Sequence, residues 1–286
     1  MNSATTPPKS LMAAFAALEL APKDADWTWL EGGKTNKVWR VDNFVVKLFC
    51  PERRNPVFEN DPMVEQRVLN ALRVTGIAPK LIYSGKVLDA NFSVTEFLNG
   101  PKWSQNAESV GALLKMVHGL DVADSLPTTL GGHLALKRQA QILLPQCAPQ
   151  HQKDLVRLQP VNEVGDTQKR CLIHGDAVPG NIVVTETGPK LVDWQCPAIS
   201  EPSFDVAIFL SPAMQNLYRG KPLTPNEEAA FWSGYSDADV KNRTEELNPW
   251  FHWRMAVYCA WKVATGFPEY GEGYALELDA LRAQKN

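Results

Sequence analysis

Several things that would fix the class of this chain at once are missing from it. No apolar run is long enough to cross a bilayer, which takes about 20 residues. The nearest candidate, Leu11 to Leu20, is interrupted by Glu19. It reads as an amphipathic first helix rather than a signal-peptide core, and residues 1–10, with Pro7 and Pro8, as a loose tail. Cysteine is scarce and scattered: Cys50, Cys147, Cys171, Cys196 and Cys259 are odd in number and no two stand at C-x-x-C spacing. A zinc or redox motif and a disulfide framework are thereby excluded, and a reducing, cytoplasmic compartment is expected. There is no excess of charge. With 29 Lys and Arg against 32 Asp and Glu, the net charge of -3 leaves no nucleic-acid footprint and no polybasic membrane anchor. Repeats, low-complexity tracts and any signal of oligomeric state are also absent. What remains is the composition of an ordinary globular protein, with 286 residues, 44% hydrophobic and 21% charged. That is enough for one large domain or two lobes around a cleft.

The first third is strand-rich with one inserted helix. Trp27–Leu30, Lys37–Val41 and Phe44–Phe49 are β-favouring runs separated by the turns Glu31-Gly32-Gly33-Lys34 and Asp42-Asn43. They predict an antiparallel meander. Glycine lets backbone N–H groups approach a phosphate, and Thr35 and Asn36 add donors, but a Gly-Gly pair between strands is also an ordinary hairpin turn. Lys47 interrupts an apolar strand, where an unpaired ammonium is costly. A helix starting at Asp61-Pro62 carries Val64, Val68 and Leu72 at helical spacing, with Glu65 in its first turn as a candidate partner for Lys47. The helix is expected to run to Thr75-Gly76. A strand from Phe92 to Leu98 stops at Asn99-Gly100-Pro101, the expected boundary between a lobe of residues 1–98 and one of residues 99–286. Free backbone groups there would suit an adenine ring.

The chemistry gathers between Cys171 and Trp194. Apolar pieces at 171–173, 182–184 and 191–192 read as short strands that present His174-Gly175-Asp176 through Asn181 on a tight loop and Asp193 at a strand end. Two carboxylates and a carboxamide held together suit phosphoryl transfer to an alcohol: one acceptor for the hydroxyl proton, and oxygen ligands for Mg²⁺ that leave room for phosphate oxygens. Asp176 and Asn181 repeat the H-x-D loop of kinases, in which Asn follows the Asp by five positions.

On these residues the chain resembles the aminoglycoside phosphotransferase and choline kinase superfamily, of protein-kinase-like fold. The family's H-G-D-x-x-x-x-N matches His174 to Asn181, its D-W matches Asp193-Trp194, and its D-L-A helix start reads Asp205-Val206-Ala207. Gly32 to Asn36 resembles the nucleotide-covering hairpin of choline kinase-like members, and Leu113 to His118 the family's L-L-x-x-L-H helix. The similarity runs over roughly residues 25–265. It implies an α+β, two-lobed fold with an antiparallel sheet and one helix in the first lobe and a mostly helical second lobe. It also implies ATP and Mg²⁺ as cofactors. Asp176 would orient the acceptor hydroxyl and take its proton. Asn181 and Asp193 would bind the metal, and Lys47, held by Glu65, the α- and β-phosphates. Gly33, Thr35 and Asn36 would cover the nucleotide, and backbone at Glu96, Phe97 and Leu98 would meet adenine. His174, Asp205 and His118 would be supports. The hairpin lacks the G-x-G-x-x-G of protein kinases, and only about a dozen residues separate Asp193 from Asp205. That is too few for the activation segment that positions a peptide.

The acceptor is therefore expected to be a small-molecule alcohol. Trp250, Trp253 and Trp261 fall near one helix face and, with Trp194, form a candidate cation–π cage for choline, ethanolamine or thiamine. The same rings equally form a core seam. An aminoglycoside or sugar is the alternative, with Glu227, Glu228, Asp237, Asp239, Glu245 and Glu246 as candidate acidic contacts or solvated helix faces. A non-catalytic nucleotide-binding pseudokinase is the alternative of another class.

Overall fold

The computed structural model describes residues 5–30, 35–53, 55–122 and 126–284. Gly32, Gly33 and Lys34 lie outside the described residues. The first lobe is a five-stranded antiparallel sheet of β1 (Trp27–Trp29), β2 (Lys37–Val41), β3 (Phe44–Leu48), β4 (Leu81–Val87) and β5 (Ala90–Glu96), in the order β1-β2-β3-β5-β4. Two helices belong to this lobe: α1 (Lys9–Ala16) and α2 (Pro62–Ala71).

Strand alternation decides what each face of the sheet does. Trp39, Val46 and Val94 stand in one cross-strand row and, with Leu11 and Phe15 of α1, build the core of one face. Val38, Lys47 and Ser93 stand in the neighbouring row and look to the other face. This register is what brings Lys47 into the cleft. The N-terminal segment is more structured than its prolines suggest. Lys9 and Ser10 already belong to α1, and the Thr5 carbonyl accepts a hydrogen bond from the Trp39 indole at 2.7 Å. Helix α2 is capped as expected, with the Asp61 carboxylate accepting from Met63 N–H at 2.8 Å and Pro62 opening the helix. It stops before Thr75, whose hydroxyl donates back to the Leu72 carbonyl at 2.8 Å and closes the turn.

The second lobe is mostly helical. In it α3 (Ala107–His118) packs on α8 (Pro225–Tyr235), and α4 (Gly132–Leu143), α5 (Pro149–Leu158) and α10 (Tyr270–Ala283) surround α9 (Ala238–Ala264). Gly111 allows the close approach of α3 and α8, because a Cβ there would lie 2.1 Å from the Phe231 carbonyl oxygen. The remaining helices are α6 (Ser203–Leu210) and α7 (Pro212–Arg219). Two small ribbons carry the functional loop: β6 (Cys171–Ile173) pairs with β9 (Ala198–Ser200), and β7 (Ile182–Thr185) with β8 (Gly188–Leu191). One core joins the lobes, since Val68, Leu69 and Ile77 pack with Leu114, Ile182 and Leu191. The connecting segment runs beside β7, with Trp103 N–H on the Ile182 carbonyl and Val184 N–H on the Pro101 carbonyl, each at 2.9 Å. Among the described residues no helix is long and apolar enough to cross a membrane.

Candidate active site

The loop after β6 is shaped by one buried carboxylate. Asp205, in the first turn of α6, has no exposed surface. Its Oδ2 accepts from His174 N–H at 2.6 Å and its Oδ1 from Gly175 N–H at 2.8 Å. The His118 ring approaches the same carboxylate through Nε2 at 3.2 Å and the Tyr235 hydroxyl through Nδ1 at 2.7 Å. Gly175 is required twice over. Its φ is +80°, and a Cβ would sit 2.2 Å from the Cys196 carbonyl oxygen. His174 Nδ1 accepts from Asp176 N–H at 3.2 Å, which leaves Nε2–H to donate to the Val192 carbonyl at 3.0 Å. Burial lowers the His174 pKa, in keeping with this neutral tautomer. His174, Asp205 and His118 thus support the loop from behind.

Asp176 emerges from the supported loop half-buried. Asn181 Nδ2 donates to its carbonyl at 2.9 Å and to its Oδ2 at 3.0 Å. Burial, then repulsion from Asp193, pushes the Asp176 carboxyl up to about 7, with the Asn181 hydrogen bond pulling the other way. The β7–β8 hairpin fixes the third group: Ile182 pairs with Leu191, and Val192 N–H donates to the Asn181 carbonyl at 2.9 Å. Asn181 and Asp193 therefore leave the hairpin side by side, with Asp193 in the left-handed region at φ +63°.

Lys47 completes the set from the opposite lobe. Its ammonium lies 2.5 Å from Glu65 Oε2 and 2.5 Å from Asp193 Oδ1. Burial alone would depress the Lys47 pKa, but the charges of Asp193 and Glu65 outweigh it and hold the group above the usual lysine range. Glu65 is buried as well; burial raises its pKa and Lys47 pulls against that rise.

Two cavities meet at this set. The larger, about 280 Å³, lies under the sheet between the lobes. Val38, Val45, Leu69, Val183 and Val192 give it apolar walls, and Lys47, Glu65 and the segment Glu96 to Leu98 line it too. Phe97 N–H is already taken by the Asn43 carbonyl at 2.8 Å, so it is not a free donor. The smaller, about 60 Å³, is lined by Asp176, Thr35, Asn55, Phe58, Gln195 and Tyr218 and by Tyr258, Lys262 and Tyr270. Asn181, Asp193 and Tyr218 line both.

Several expected contacts are elsewhere. Gly33 falls outside the described residues. The Asn36 side chain is engaged within the protein: its amide donates to Asn60 and Gln195, each at 3.0 Å, and its Oδ1 accepts from Cys50 N–H and Asn60 Nδ2. It ties the first lobe to the segment after Asp193. Thr35 faces the smaller cavity. Trp194 is buried, donates to the Leu191 carbonyl at 2.9 Å and packs edge-on to His174, so it braces the loop from the larger cavity's side. Trp250, Trp253 and Trp261 form no cage. Their indole N–H groups donate to the Asn162 carbonyl, the Leu155 carbonyl and Gln146 Oε1, and all three rings belong to the core of the second lobe. None of the three lines either cavity, although Trp261 flanks Tyr258 and Lys262, with ring centroids 5.7 Å apart in the first case. The next stripe round the helix, with Tyr258 and Lys262, faces the smaller one.

The acidic candidates for an aminoglycoside also lie away from the smaller cavity. Glu227 caps α8 and pairs with Arg219, Asp237 caps α9 and pairs with Lys115, Glu228 lines a separate cavity, and Asp239, Glu245 and Glu246 are exposed.

Comparison with known proteins agrees with this fold. The model of the phosphotransferase enzyme family matches residues 26–247. No curated protein matches the sequence. Solved structures share the fold at low identity. Choline kinase LicA from Streptococcus pneumoniae is 16% identical, with a TM-score of 0.65, over 96% of this chain and 99% of that one. A GDP complex of aminoglycoside 2'-phosphotransferase-IIIa is 15% identical, with a TM-score of 0.63, over 97% and 100%. Amicoumacin kinase hAmiN, in complex with AMP-PNP, Ca²⁺ and Ami, is 14% identical, with a TM-score of 0.63, over 96% and 94%.

Proposed function

The chain belongs to the phosphotransferase enzyme family, and from that premise we propose that it moves the γ-phosphate of ATP onto a hydroxyl of a small molecule, with Mg²⁺. One observation carries the reading. Asn181 and Asp193 line both the cavity under the sheet and the smaller cavity that holds Asp176. A nucleotide in the first and an alcohol in the second would meet across them.

Each residue has a physically suited part. The apolar walls at Val38, Val45, Leu69 and Val183 suit the faces of a nucleobase, and the Glu96 carbonyl and Leu98 N–H suit its edge. Lys47 would turn from Asp193 towards the α- and β-phosphates while Glu65 holds its direction. The Asn181 carboxamide oxygen and the Asp193 carboxylate are hard oxygen donors of the kind Mg²⁺ takes, few enough to leave its other positions to phosphates and water. When bound, the metal supplies charge neutralisation along the phosphate chain. In the smaller cavity Asp176 would accept the proton of the acceptor hydroxyl as its oxygen bonds to the γ-phosphorus and the bond from that phosphorus to the bridging oxygen of ADP breaks. The fixed dipoles and charges around the loop are in place before the reaction, which is where most catalytic stabilisation arises.

The tryptophan cage expected at Trp250, Trp253 and Trp261 no longer supports a choline-, ethanolamine- or thiamine-like acceptor, which now rests on the resemblance of Gly32 to Asn36 and of the run from Asp193 to choline kinase-like members. A coupled ADP-release screen over amino alcohols, hydroxy acids, sugars and aminoglycosides, with and without EDTA, tests the function. The expected result is metal-dependent ADP in step with a phosphorylated alcohol. Tight Mg-nucleotide binding with no phosphorylated product from any of them would instead make the chain a non-catalytic nucleotide-binding module.

A further inference from the structure

The orientation of one buried amide in the wall of the smaller cavity is fixed from a backbone donor outward. Cys50 N–H donates to the Asn36 side chain at 3.2 Å, and a backbone N–H needs an acceptor, so the Asn36 oxygen lies on that side. The nitrogen of the same amide, Asn36 Nδ2, then donates to Asn60 Oδ1 and to Gln195, each at 3.0 Å. Meeting a donor, Gln195 must present its oxygen there. Its Oε1 is thereby turned to Asn36 of the first lobe, and Nε2 forms the other end of the amide.

That nitrogen is unused. Among the described residues Gln195 Nε2 has no hydrogen-bond partner, and it keeps accessible surface. Gln195 is 7% exposed and lines the smaller cavity but not the larger one. It follows Asp193 by two residues, so it stands beside the groups assigned to the chemistry. Three carboxamides among the described residues line this cavity: Asn55, Asn181 and Gln195. Asn181 Nδ2 donates to Asp176, and Asn55 Nδ2 to the Tyr258 hydroxyl at 3.2 Å. Gln195 is the one of the three whose nitrogen is free. A neutral N–H donor favours an oxygen with a lone pair and disfavours an ammonium, which has only donors of its own.

We propose that Gln195 is a specificity-determining residue of the acceptor site. Its Nε2 donates to a second oxygen of the acceptor, so the preferred substrate is an alcohol with another hydrogen-bond-accepting oxygen, a diol, polyol or sugar, in place of an amino alcohol or choline. Asn36 acts through Gln195, by holding the amide in this orientation. The proposal rests on the reading in which the smaller cavity receives the acceptor.

Ethylene glycol and ethanolamine test it, because they share one reacting hydroxyl and differ in the neighbouring group, an oxygen or an ammonium. Glycerol and choline extend the two classes. The measurement is kcat/KM on the full chain with Mg²⁺ and ATP, with the phosphate ester identified, in wild type, Gln195→Glu and Gln195→Leu. AMP-PNP affinity reports that each variant has folded. Wild type is expected to prefer ethylene glycol by about tenfold. Gln195→Glu keeps an oxygen for Asn36 Nδ2 and exchanges the donor for a carboxylate oxygen, so the preference should turn to ethanolamine. Gln195→Leu should abolish it. Effects of the new charge common to both alcohols, on the metal or on Asp176, cancel in the ratio, and a Gln195 needed only to hold Asn36 would leave the ratio unmoved in Gln195→Glu. An unmoved ratio, a wild-type preference for ethanolamine and choline, or no phosphorylation of ethylene glycol and glycerol would each overturn the proposal. If the cations are phosphorylated and the polyols are not, the assignment of Gln195 falls and phosphotransfer stands. If AMP-PNP with Mg²⁺ does not bind to wild type, the phosphotransfer reading falls and takes the proposal with it.

Discussion

Lys47 and Asp193 are 146 residues apart in sequence and 2.5 Å apart in the structure. The contact closes strand β3 of the first lobe onto the end of the β7–β8 hairpin in the second. Both partners also belong to the proposed phosphate and metal sites, so the same ion pair that ties the lobes must open when nucleotide binds.

The pair predicts a divided phenotype for Lys47→Met. Glu65 would be left buried without its counter-charge, a loss of about 3–5 kcal/mol of stability. Turnover would fall by about 10²–10³ through the missing phosphate contact. In Lys47→Met/Glu65→Leu the stability should largely return and the activity should not. Chemical denaturation read beside steady-state kinetics separates the two effects.

As the proposed base, Asp176 should set the acid limb of the pH profile. A carboxyl accepts a proton only when ionised, so kcat/KM should fall as pH drops through its pKa, which burial and Asp193 raise to about 7. Metal on Asp193 offsets that carboxylate's repulsion, so the midpoint should move down as Mg²⁺ is raised to saturation. A midpoint that does not respond to Mg²⁺ would separate the limb from this carboxylate pair.

Asp205 should act through the loop it holds. Asp205→Ala leaves the buried N–H groups of His174 and Gly175 without their acceptor, at about 1–3 kcal/mol for each. We expect kcat to fall well beyond any change in nucleotide affinity, and Asp205→Asn, which can satisfy one N–H, to be milder. Equal losses in kcat and AMP-PNP binding would mean that the whole lobe, and not the loop, is disturbed.

Trp253 should matter to stability and not to specificity. Its ring is fully buried and hydrogen-bonded in the core of the second lobe. Trp253→Ala is expected to cost about 3–5 kcal/mol, and the milder Trp253→Phe to lower the melting temperature with acceptor KM unchanged. An acceptor KM that rises in Trp253→Phe would restore the ring to the binding site.

The sequence made the chemical centre legible because the residues that define it are close in the chain and bounded by short strands. His174 to Asn181 and Asp193 needed only the β7–β8 hairpin and the β6–β9 pair around it to come together, and Lys47 was marked by its cost in an apolar strand. The acceptor side was not legible in that way. Tryptophans at 250, 253 and 261 share one stripe of α9, and periodicity shows that a stripe exists without showing what it faces. The structure turns that stripe to α4 and α5 and gives the site the next one, where Lys262 is indistinguishable in sequence from a surface lysine. Asn36 was ambiguous for a related reason: a turn amide near glycines looks like a phosphate donor, and its engagement by Asn60 and Gln195, far off in sequence, is seen only in the structure.

The most direct test of the account follows radiolabelled γ-phosphate from ATP in wild type and Asp176→Asn, with the best acceptor of the alcohol screen and with AMP-PNP binding measured on both proteins. The account predicts label on the acceptor hydroxyl with wild type and loss of transfer in Asp176→Asn, with nucleotide binding largely retained. Label transferred by Asp176→Asn at the wild-type rate would contradict it.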